Sequence, residues 1–154
     1  MYQTILVPLD GSARAEHILP HVENLATHYK AKVIFLQVME PLQIINPSLH
    51  VTGALTDTVK ESLNDFNRRY EEINTYLSGR IGEFREKGID VRKFVEQGPV
   101  VETVISVAQR ENADLIAMAS HGRGGISRVF YGSVAAGVMQ QIDRPMLIIR
   151  SRNI

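Results

Sequence analysis

The chain of 154 residues is 44% hydrophobic and 22% charged, with 17 basic side chains, 17 acidic side chains and no cysteine. This length and composition predict one globular domain over residues 1–154, large enough to bury a core. The net charge of zero argues against nucleic acid or an anionic membrane as the main partner, and the absence of cysteine excludes disulfides, thiol catalysis and thiolate metal sites.

The first part of the chain alternates between strand and helix signals. Residues 5–9 form a short apolar segment that predicts a strand, and the turn residues 10–12 that follow include a serine able to cap a helix. Apolar residues recur at helical spacing over residues 18–29, and Pro20 is expected to kink this helix because its ring displaces a backbone hydrogen bond. The nearly continuous apolar run at residues 33–38 predicts a strand covered on both faces.

A loop and a long helix are predicted next. Periodicity fades over residues 40–56, which are expected to form a loop over the edge or top of the sheet. From about residue 57 to 87, apolar residues three or four apart predict a helix with one buried stripe, which Gly88 ends. The stripe comprises Val59, Leu63, Phe66, Tyr70, Ile73, Leu77, Ile81 and Phe84.

The second half continues the alternation of strands and helices. Residues 91–95 mix charged and apolar side chains, as an edge strand does. A helix is predicted to begin with Pro99 at its first position. Residues 115–119 predict the next strand, which leads into a glycine-rich turn, a helix that opens at Gly132-Ser133, and a final strand at residues 146–149.

Alternation of this kind predicts an α/β fold with right-handed crossovers, a parallel sheet and helices on both faces. Five strands suit a single-domain doubly wound sheet of order 3-2-1-4-5, with the switch point between strands one and four. Ligands bind such sheets at the carboxyl ends of the strands beside the switch. Asp10, Val38 and residues 119–122 are therefore expected to converge on one crevice.

The segment at residues 119–134 predicts an anion site in that crevice. Its glycines allow the backbone to approach a ligand closely, and the helix that follows presents unpaired N–H groups at the positive end of its dipole. Phosphate is the anion that most often occupies such a site. We therefore expect a nucleotide ligand.

The chain resembles a universal stress protein of the UspA superfamily over essentially its whole length. The resemblance rests on I-L-V-P-L-D-G-S at residues 5–12, the strand at 33–38, A-D-L-I-A-M-A-S-H-G-R-G-G at 113–125, G-S-V-A at 132–135 and R-P-M-L-I-I-R at 144–150. The ATP-binding branch of that family carries G-x-x-G, nine residues, then G-S or G-T. Gly122, residues 123–131 and Gly132-Ser133 match this pattern, whereas Ala119 replaces the first glycine. The similarity implies a Rossmann-like fold of the adenine nucleotide alpha-hydrolase-like type.

The resemblance also implies roles for individual residues. Asp10 is expected to face the ribose, or a Mg²⁺ or Mn²⁺ ion held together with the nucleotide phosphates. The adenine is expected to be bordered by Pro8, Leu9 and Val38, partly through backbone groups. Met118 and Ala119 are expected to lie against adenine and ribose. The residues implied to hold the phosphates are Gly122, Arg123, Gly132, Ser133 and Val134.

Ala119 is the one departure from the motif. If the position requires a positive φ, alanine costs about 1–2 kcal/mol and weakens binding roughly tenfold or slightly more. If φ is negative, alanine adds only a methyl group. This residue therefore decides between a nucleotide-binding protein and a non-nucleotide interaction module of the same fold.

Several residues also have a purely structural interpretation. The glycine loop alone is compatible with a tight strand-to-helix connection, and Asp10 with a turn residue or helix cap. Ser133 is a candidate N-cap for the last helix, and Arg123 and Arg128 are candidates for solvated loop charges. His121 is not predicted to hold a metal, because no second His, Asp or Glu stands at ligand spacing near it. His17 and His21 are one helical turn apart, but Pro20 and the exposed face expected there argue against a metal site.

The function predicted from the sequence is an ATP-binding, regulatory or stress-response module. A slow ATPase is the enzymatic alternative, with His121 and Asp10 as the only candidate bases. A homodimer is predicted through the apolar edge strand formed by Met146, Leu147, Ile148 and Ile149, which family members pair antiparallel. Because no signal peptide or membrane-spanning apolar run is present, the protein is expected to be cytoplasmic.

Overall fold

The computed structural model describes residues 1–41, 54–121 and 132–151. The strands are β1 (Thr4–Pro8), β2 (Lys32–Met39), β3 (Val91–Gln97), β4 (Leu115–His121) and β5 (Met146–Ser151). The helices are α1 (Ala13–Glu16), α2 (Leu19–Tyr29), α3 (Ala54–Glu86), α4 (Val100–Arg110) and α5 (Ser133–Gln141). No helix within these ranges is both long enough and apolar enough to cross a membrane.

The strands form one parallel sheet of order β3-β2-β1-β4-β5, which confirms the predicted topology. In the register of the central strands, Ile5 lies between Val33 of β2 and Leu115 of β4. All five strands run in the same direction, so their carboxyl ends meet at one edge of the sheet. The switch point lies between β1 and β4, because the chain leaves β1 toward β2 on one side and returns to β4 on the other.

Two apolar layers cover the sheet. Helices α1, α2 and α3 pack on one face, where Phe35 and Phe84 meet edge-to-face with ring centroids 5.0 Å apart. Helices α4 and α5 pack on the other face, where Gly137 of α5 lies against Val101 of α4. Burial on both faces explains why the central strands read as continuous apolar runs rather than alternating ones.

The helix predicted over residues 18–29 differs from its prediction at its start. It begins at Leu19, as α2, and a separate short helix, α1, precedes it, with His17 and Ile18 between the two. Pro20 lies in the first turn of α2 rather than in a helix interior, so its missing N–H costs no helical hydrogen bond and it causes no kink. The predicted kink is therefore wrong.

Helix α3 begins at Ala54, so the last three residues of the predicted 40–56 loop belong to it. Residues 42–53 of that loop lie outside the described residues. The prediction that the whole α3 stripe is buried is wrong, since burial is complete only from Leu77 onward, and Leu63 and Tyr70 are 44% and 39% exposed. A helix of 33 residues is about 50 Å long, whereas strands of five to eight residues span about 17–27 Å.

Polar side chains join the elements at the amino end of the sheet. The carboxylate of Asp114 accepts hydrogen bonds from the backbone N–H groups of Gln3 and Thr4 at 2.8 and 3.1 Å. Nη1 of Arg144 donates to the carbonyl oxygens of Ala108 and Ala113 at 3.0 and 2.8 Å. These contacts lie at the end opposite the crevice, and they fix how the strands begin.

Candidate functional site

A cleft opens at the carboxyl ends of β1 and β4, on the switch-point side of the sheet. Helix α1 borders it on one side and the amino end of α5 on the other, with an empty volume of about 540 Å³ that includes the mouth. Most of its surface is apolar, and one carboxylate, that of Asp10, reaches it. The lining residues are Pro8, Leu9, Asp10, Ala15, Val100, Met118, Ala119, Gly132, Ser133, Val134 and Ala135.

Eight of the eleven residues expected at the crevice line this cleft. Val38 lies at the carboxyl end of β2, but its side chain is half-buried in the apolar cluster beside α4 and does not line the cleft. Gly122 and Arg123 lie outside the described residues, as does Arg128. The ligand-binding roles of all these residues remain predictions.

Three lining residues were not singled out from the sequence: Ala15, Val100 and Ala135. Each carries a small aliphatic side chain with no chemistry of its own. The hydrophobic periodicity of the helices indicates that such residues are buried, but it does not show that they border a cleft. The sequence positions of Ala15 and Val100 could have suggested their place at the cleft, because these residues are close to turns at the carboxyl ends of β1 and β3.

Asp10 builds the turn between β1 and α1. Its Oδ1 atom accepts hydrogen bonds from the Ser12 backbone N–H at 2.9 Å and from the Ser12 hydroxyl at 2.6 Å. The Ser12 hydroxyl oxygen in turn accepts from the Ala15 N–H at 3.1 Å, so Ser12 is the N-cap of α1. Between them, Gly11 adopts φ +81°, where a side chain would be strained. Asp10 therefore both shapes the turn and lines the cleft.

Ala119 lies inside β4, paired with Ile149 of β5, and does not have a positive φ. Its backbone is extended, so the left-handed strain considered for this position does not arise. Relative to glycine, alanine adds one methyl group to the wall of the cleft. The departure from the glycine motif thus carries no backbone penalty here.

The amino end of α5 faces the cleft with its first turn. Gly132 is the N-cap, with φ −51° and ψ 152°, and no side chain caps the helix. Ser133 is therefore the first helical residue, and the alternative that it serves as the N-cap is wrong. The first intrahelical bond runs from the Ala136 N–H to the Gly132 oxygen at 3.0 Å, so the preceding N–H groups have no acceptor within the helix. Such a terminus favours a negatively charged group.

Two polar atoms near the carboxyl ends of the strands are buried without a hydrogen-bond partner among the described residues. They are Oε1 of Gln37, on β2, and Oγ of Ser120, on β4. Ser120 is 1% exposed and follows Ala119 directly. Buried polar atoms are normally satisfied by protein, ordered water or ligand, so both atoms give this end of the sheet unused hydrogen-bonding capacity.

Among the described residues, His17 and His21 belong to no cluster of possible metal ligands. No group of three or more His, Asp or Glu side chains able to hold a metal occurs there. His17 instead contacts the buried Ser151 hydroxyl, with Nδ1 and Oγ 3.0 Å apart. Nothing is described of the His121 side chain. The cleft itself thus combines apolar walls, one carboxylate and a helix amino end.

Comparison with known proteins gives a consistent match over the whole chain. A model described as the Universal stress protein family matches residues 1–150. Universal stress protein MJ0577 of Methanocaldococcus jannaschii is 30% identical over 99% of this chain and 98% of its own length. The solved structure of MJ0577 has a TM-score of 0.79 at 26% identity, covering 100% of this chain and 99% of that one.

Two other solved structures share the fold at lower identity. One is a universal stress protein in complex with cAMP, with a TM-score of 0.70, 20% identity and 98% coverage of both chains. The other is the universal stress protein of Archaeoglobus fulgidus in complex with dAMP, with a TM-score of 0.58 and 17% identity. It covers 96% of this chain and 97% of that one.

Proposed function

This chain belongs to the universal stress protein family, and we propose that it binds ATP in the cleft between α1 and the amino end of α5 as a regulatory, stress-response module. The observation that carries the proposal is the cleft itself. Residues from β1, β4 and α5 that were predicted independently of any structure border one space at the switch point. Two structural neighbours that bind adenine nucleotides, cAMP and dAMP, support the same ligand class.

The apolar part of the cleft suits a purine base. Leu9, Met118 and Val100 offer hydrophobic surface, and ligand sites are typically apolar with a few placed polar groups. Val38 is proposed to border the adenine through its backbone, since its side chain packs beside α4. Ala119 lies where its methyl group meets base or ribose.

The polar part suits a ribose and phosphates. Asp10 is proposed to accept from a ribose hydroxyl or to ligate the divalent ion that accompanies the phosphates. Mg²⁺ is commonly held by one or two carboxylates together with phosphate oxygens, and when bound it offsets phosphate charge. Gly132, Ser133 and Val134 are proposed to meet phosphates through the first turn of α5, with Gly122 and Arg123 assigned to the same role by the motif.

Calorimetric titration of the purified protein with ATP, with and without Mg²⁺, tests the proposal. Saturable binding below millimolar ATP is expected, together with a rise in melting temperature that grows with ATP concentration. Inorganic triphosphate and adenosine serve as controls, because each offers only one half of the ligand. A flat titration at millimolar nucleotide contradicts the proposal.

A non-nucleotide interaction module is the alternative that the sequence raised. Its motivation was the alanine at position 119, and the extended conformation there weakens that motivation. This alternative predicts a melting temperature that ATP does not change. A slow ATPase is a further alternative, for which a hydrolysis rate equal in wild type, Asp10→Ala and His121→Ala would count against these residues as bases.

The proposal includes a homodimer formed through β5. This strand is an edge of the sheet, and Met146, Leu147, Ile148 and Ile149 are all only half-buried in the monomer. An exposed apolar edge is a template for pairing with another strand, and a two-fold axis would make that pairing antiparallel. Light scattering at micromolar concentration should give the mass of a dimer, and a monomer mass contradicts this part of the proposal.

A further inference from the structure

Helix α1 forms one wall of the cleft but is too short to be stable on its own. It has four residues, and an isolated helix of fewer than about 12 residues is marginal in water. Its buried residue, Ala15, lines the cleft. Contacts with the rest of the molecule therefore fix where this wall stands.

Glu16, the last residue of α1, joins that helix to α3. Its Oε1 atom accepts a hydrogen bond from the Tyr76 hydroxyl at 2.9 Å, and it lies 3.7 Å from Nη1 of Arg80. Arg80 also pairs with Glu83 on the next turn, with Nη2 and Oε1 3.0 Å apart. The side chains of Glu16 and Arg80 are 28% and 30% exposed, so solvent screens their attraction less than that of a surface pair.

Tyr76 remains a hydrogen-bond donor at neutral pH. Burial raises its pKa above the ordinary value of 10.0, and the hydrogen bond and negative charge of Glu16 raise it further. Arg80 acts in the opposite direction, and the charge of Asp10 adds to the rise. The phenol therefore lies within electrostatic reach of the carboxylates at both ends of α1.

A second contact between helices provides a comparison. Lys87, just beyond the end of α3, pairs with Glu23 of α2, with Nζ and Oε2 2.6 Å apart. This pair also joins the α3 region to a neighbouring helix, but neither residue borders the cleft. A variant of Glu23 therefore removes an ion pair between helices that involves no residue of the cleft wall.

We infer that Tyr76 and Arg80 are positioning residues for the cleft, which hold its α1 wall through Glu16 although neither residue lines it. The inference rests on the proposed nucleotide site. It adds to that site two residues, 60 and more positions away from Glu16 in the chain, that no glycine or phosphate motif contains. In this arrangement, α3 sets how closely α1 approaches a ligand.

A double-mutant cycle in ATP affinity tests the inference. Calorimetry compares the wild type with Tyr76→Phe, Glu16→Ala and the double variant, and urea unfolding verifies that each is folded. Tyr76→Phe should weaken ATP binding about threefold to tenfold, a range that corresponds to the net contribution of one ordinary hydrogen bond. The double variant should bind about as weakly as Glu16→Ala alone. Glu23→Gln, the matched control, should keep the wild-type affinity for ATP.

Each other outcome overturns a defined statement. Folded Tyr76→Phe and Glu16→Ala variants that bind ATP like the wild type overturn the positioning role and leave the proposed function intact. Fully additive effects, or an equal loss of affinity in Glu23→Gln, also overturn it. A wild type that fails to bind ATP overturns the proposed function and this inference together. If Glu16→Ala does not fold, Glu16→Met replaces it, because methionine has a similar length but offers neither a carboxylate oxygen to Tyr76 nor a negative charge to Arg80.

Discussion

Oδ1 of Asp10 accepts two hydrogen bonds from Ser12, one from its backbone N–H at 2.9 Å and one from its hydroxyl at 2.6 Å. The same carboxylate lines the cleft. Asp10 therefore combines a structural role in the turn with a proposed role in ligand binding. The two roles differ in what they need, because the turn requires an oxygen acceptor, whereas ligation of a divalent ion requires the negative charge.

Asp10→Asn separates these roles. The amide oxygen can still accept from Ser12, so the free energy of unfolding should change by no more than about 1 kcal/mol. The affinity for Mg-ATP should fall about tenfold or more, because the charge is lost. Urea unfolding and calorimetry measure the two quantities. Asp10→Ala is the comparison, and it should reduce both quantities. An Asn variant with wild-type affinity for Mg-ATP would contradict ligation of a divalent ion by Asp10.

Ala119→Gly restores the family motif and should nevertheless gain little affinity. Since Ala119 is already extended within β4, glycine relieves no strain and should change ATP affinity less than about threefold. It should lower the free energy of unfolding by about 0.5–1 kcal/mol, as glycine does within a strand. Ala117→Gly, on the same strand but fully buried, is the control for stability alone. A tenfold gain in affinity would show that the methyl group obstructs the ligand.

Gly137→Ala should destabilise the protein although alanine favours helices. A methyl group at this position would lie 2.8 Å from Cγ2 of Val101, so the Val101 side chain or one of the two helices must shift, at a net cost of about 1–3 kcal/mol. Gly82→Ala in α3 is the matched control, since nothing lies within 4 Å of its added methyl group. That variant should gain about 0.4–1 kcal/mol. Thermal and urea unfolding of both proteins measure the difference, and equal shifts would contradict close packing of the two helices.

Tyr76→Phe should change the response of stability to alkaline pH. Burial and Glu16 raise the pKa of Tyr76 in the folded protein, so the folded state keeps a proton that the unfolded chain releases. The wild-type contribution is complete below the ordinary pKa of 10.0 and is lost as pH rises above it. The free energy of unfolding should thus fall less steeply in Tyr76→Phe than in the wild type above pH 10. Tyr70→Phe, at an exposed position of the same helix, should follow the wild-type curve.

The strand order was predictable because the residue types within each strand indicate how far that strand is buried. The apolar runs of β1, β2 and β4 require cover on both faces, and the charges in β3 are tolerated only at an edge. Pro20 was misinterpreted because periodicity alone does not show where one helix ends and the next begins. The break at His17 and Ile18 follows the short helix that Ser12 caps, and His17 contacts Ser151, which lies 134 positions away in the chain.

The cleft was predictable only where a residue type restricts the chemistry. Asp10 and Gly132 stand at strand and helix ends with a recognisable turn or helix-start pattern. Ala15 and Val100 contribute only surface, so their place depends on how the helices approach the sheet. The contact between Glu16 and Tyr76 joins residues 60 positions apart through a helix that extends past the sheet, and no local pattern indicates it.

The carbonyl groups held by Arg144 and the N–H groups held by Asp114 lie at the end of the sheet opposite the cleft. Buried strands of five to eight residues separate these contacts from the cleft residues. In genetic terms, the molecule has two classes of sensitive position. Substitutions at Asp114 or Arg144 are expected to yield temperature-sensitive alleles, whereas Asp10→Asn in the cleft is expected to yield a stable protein that lacks the proposed ATP binding.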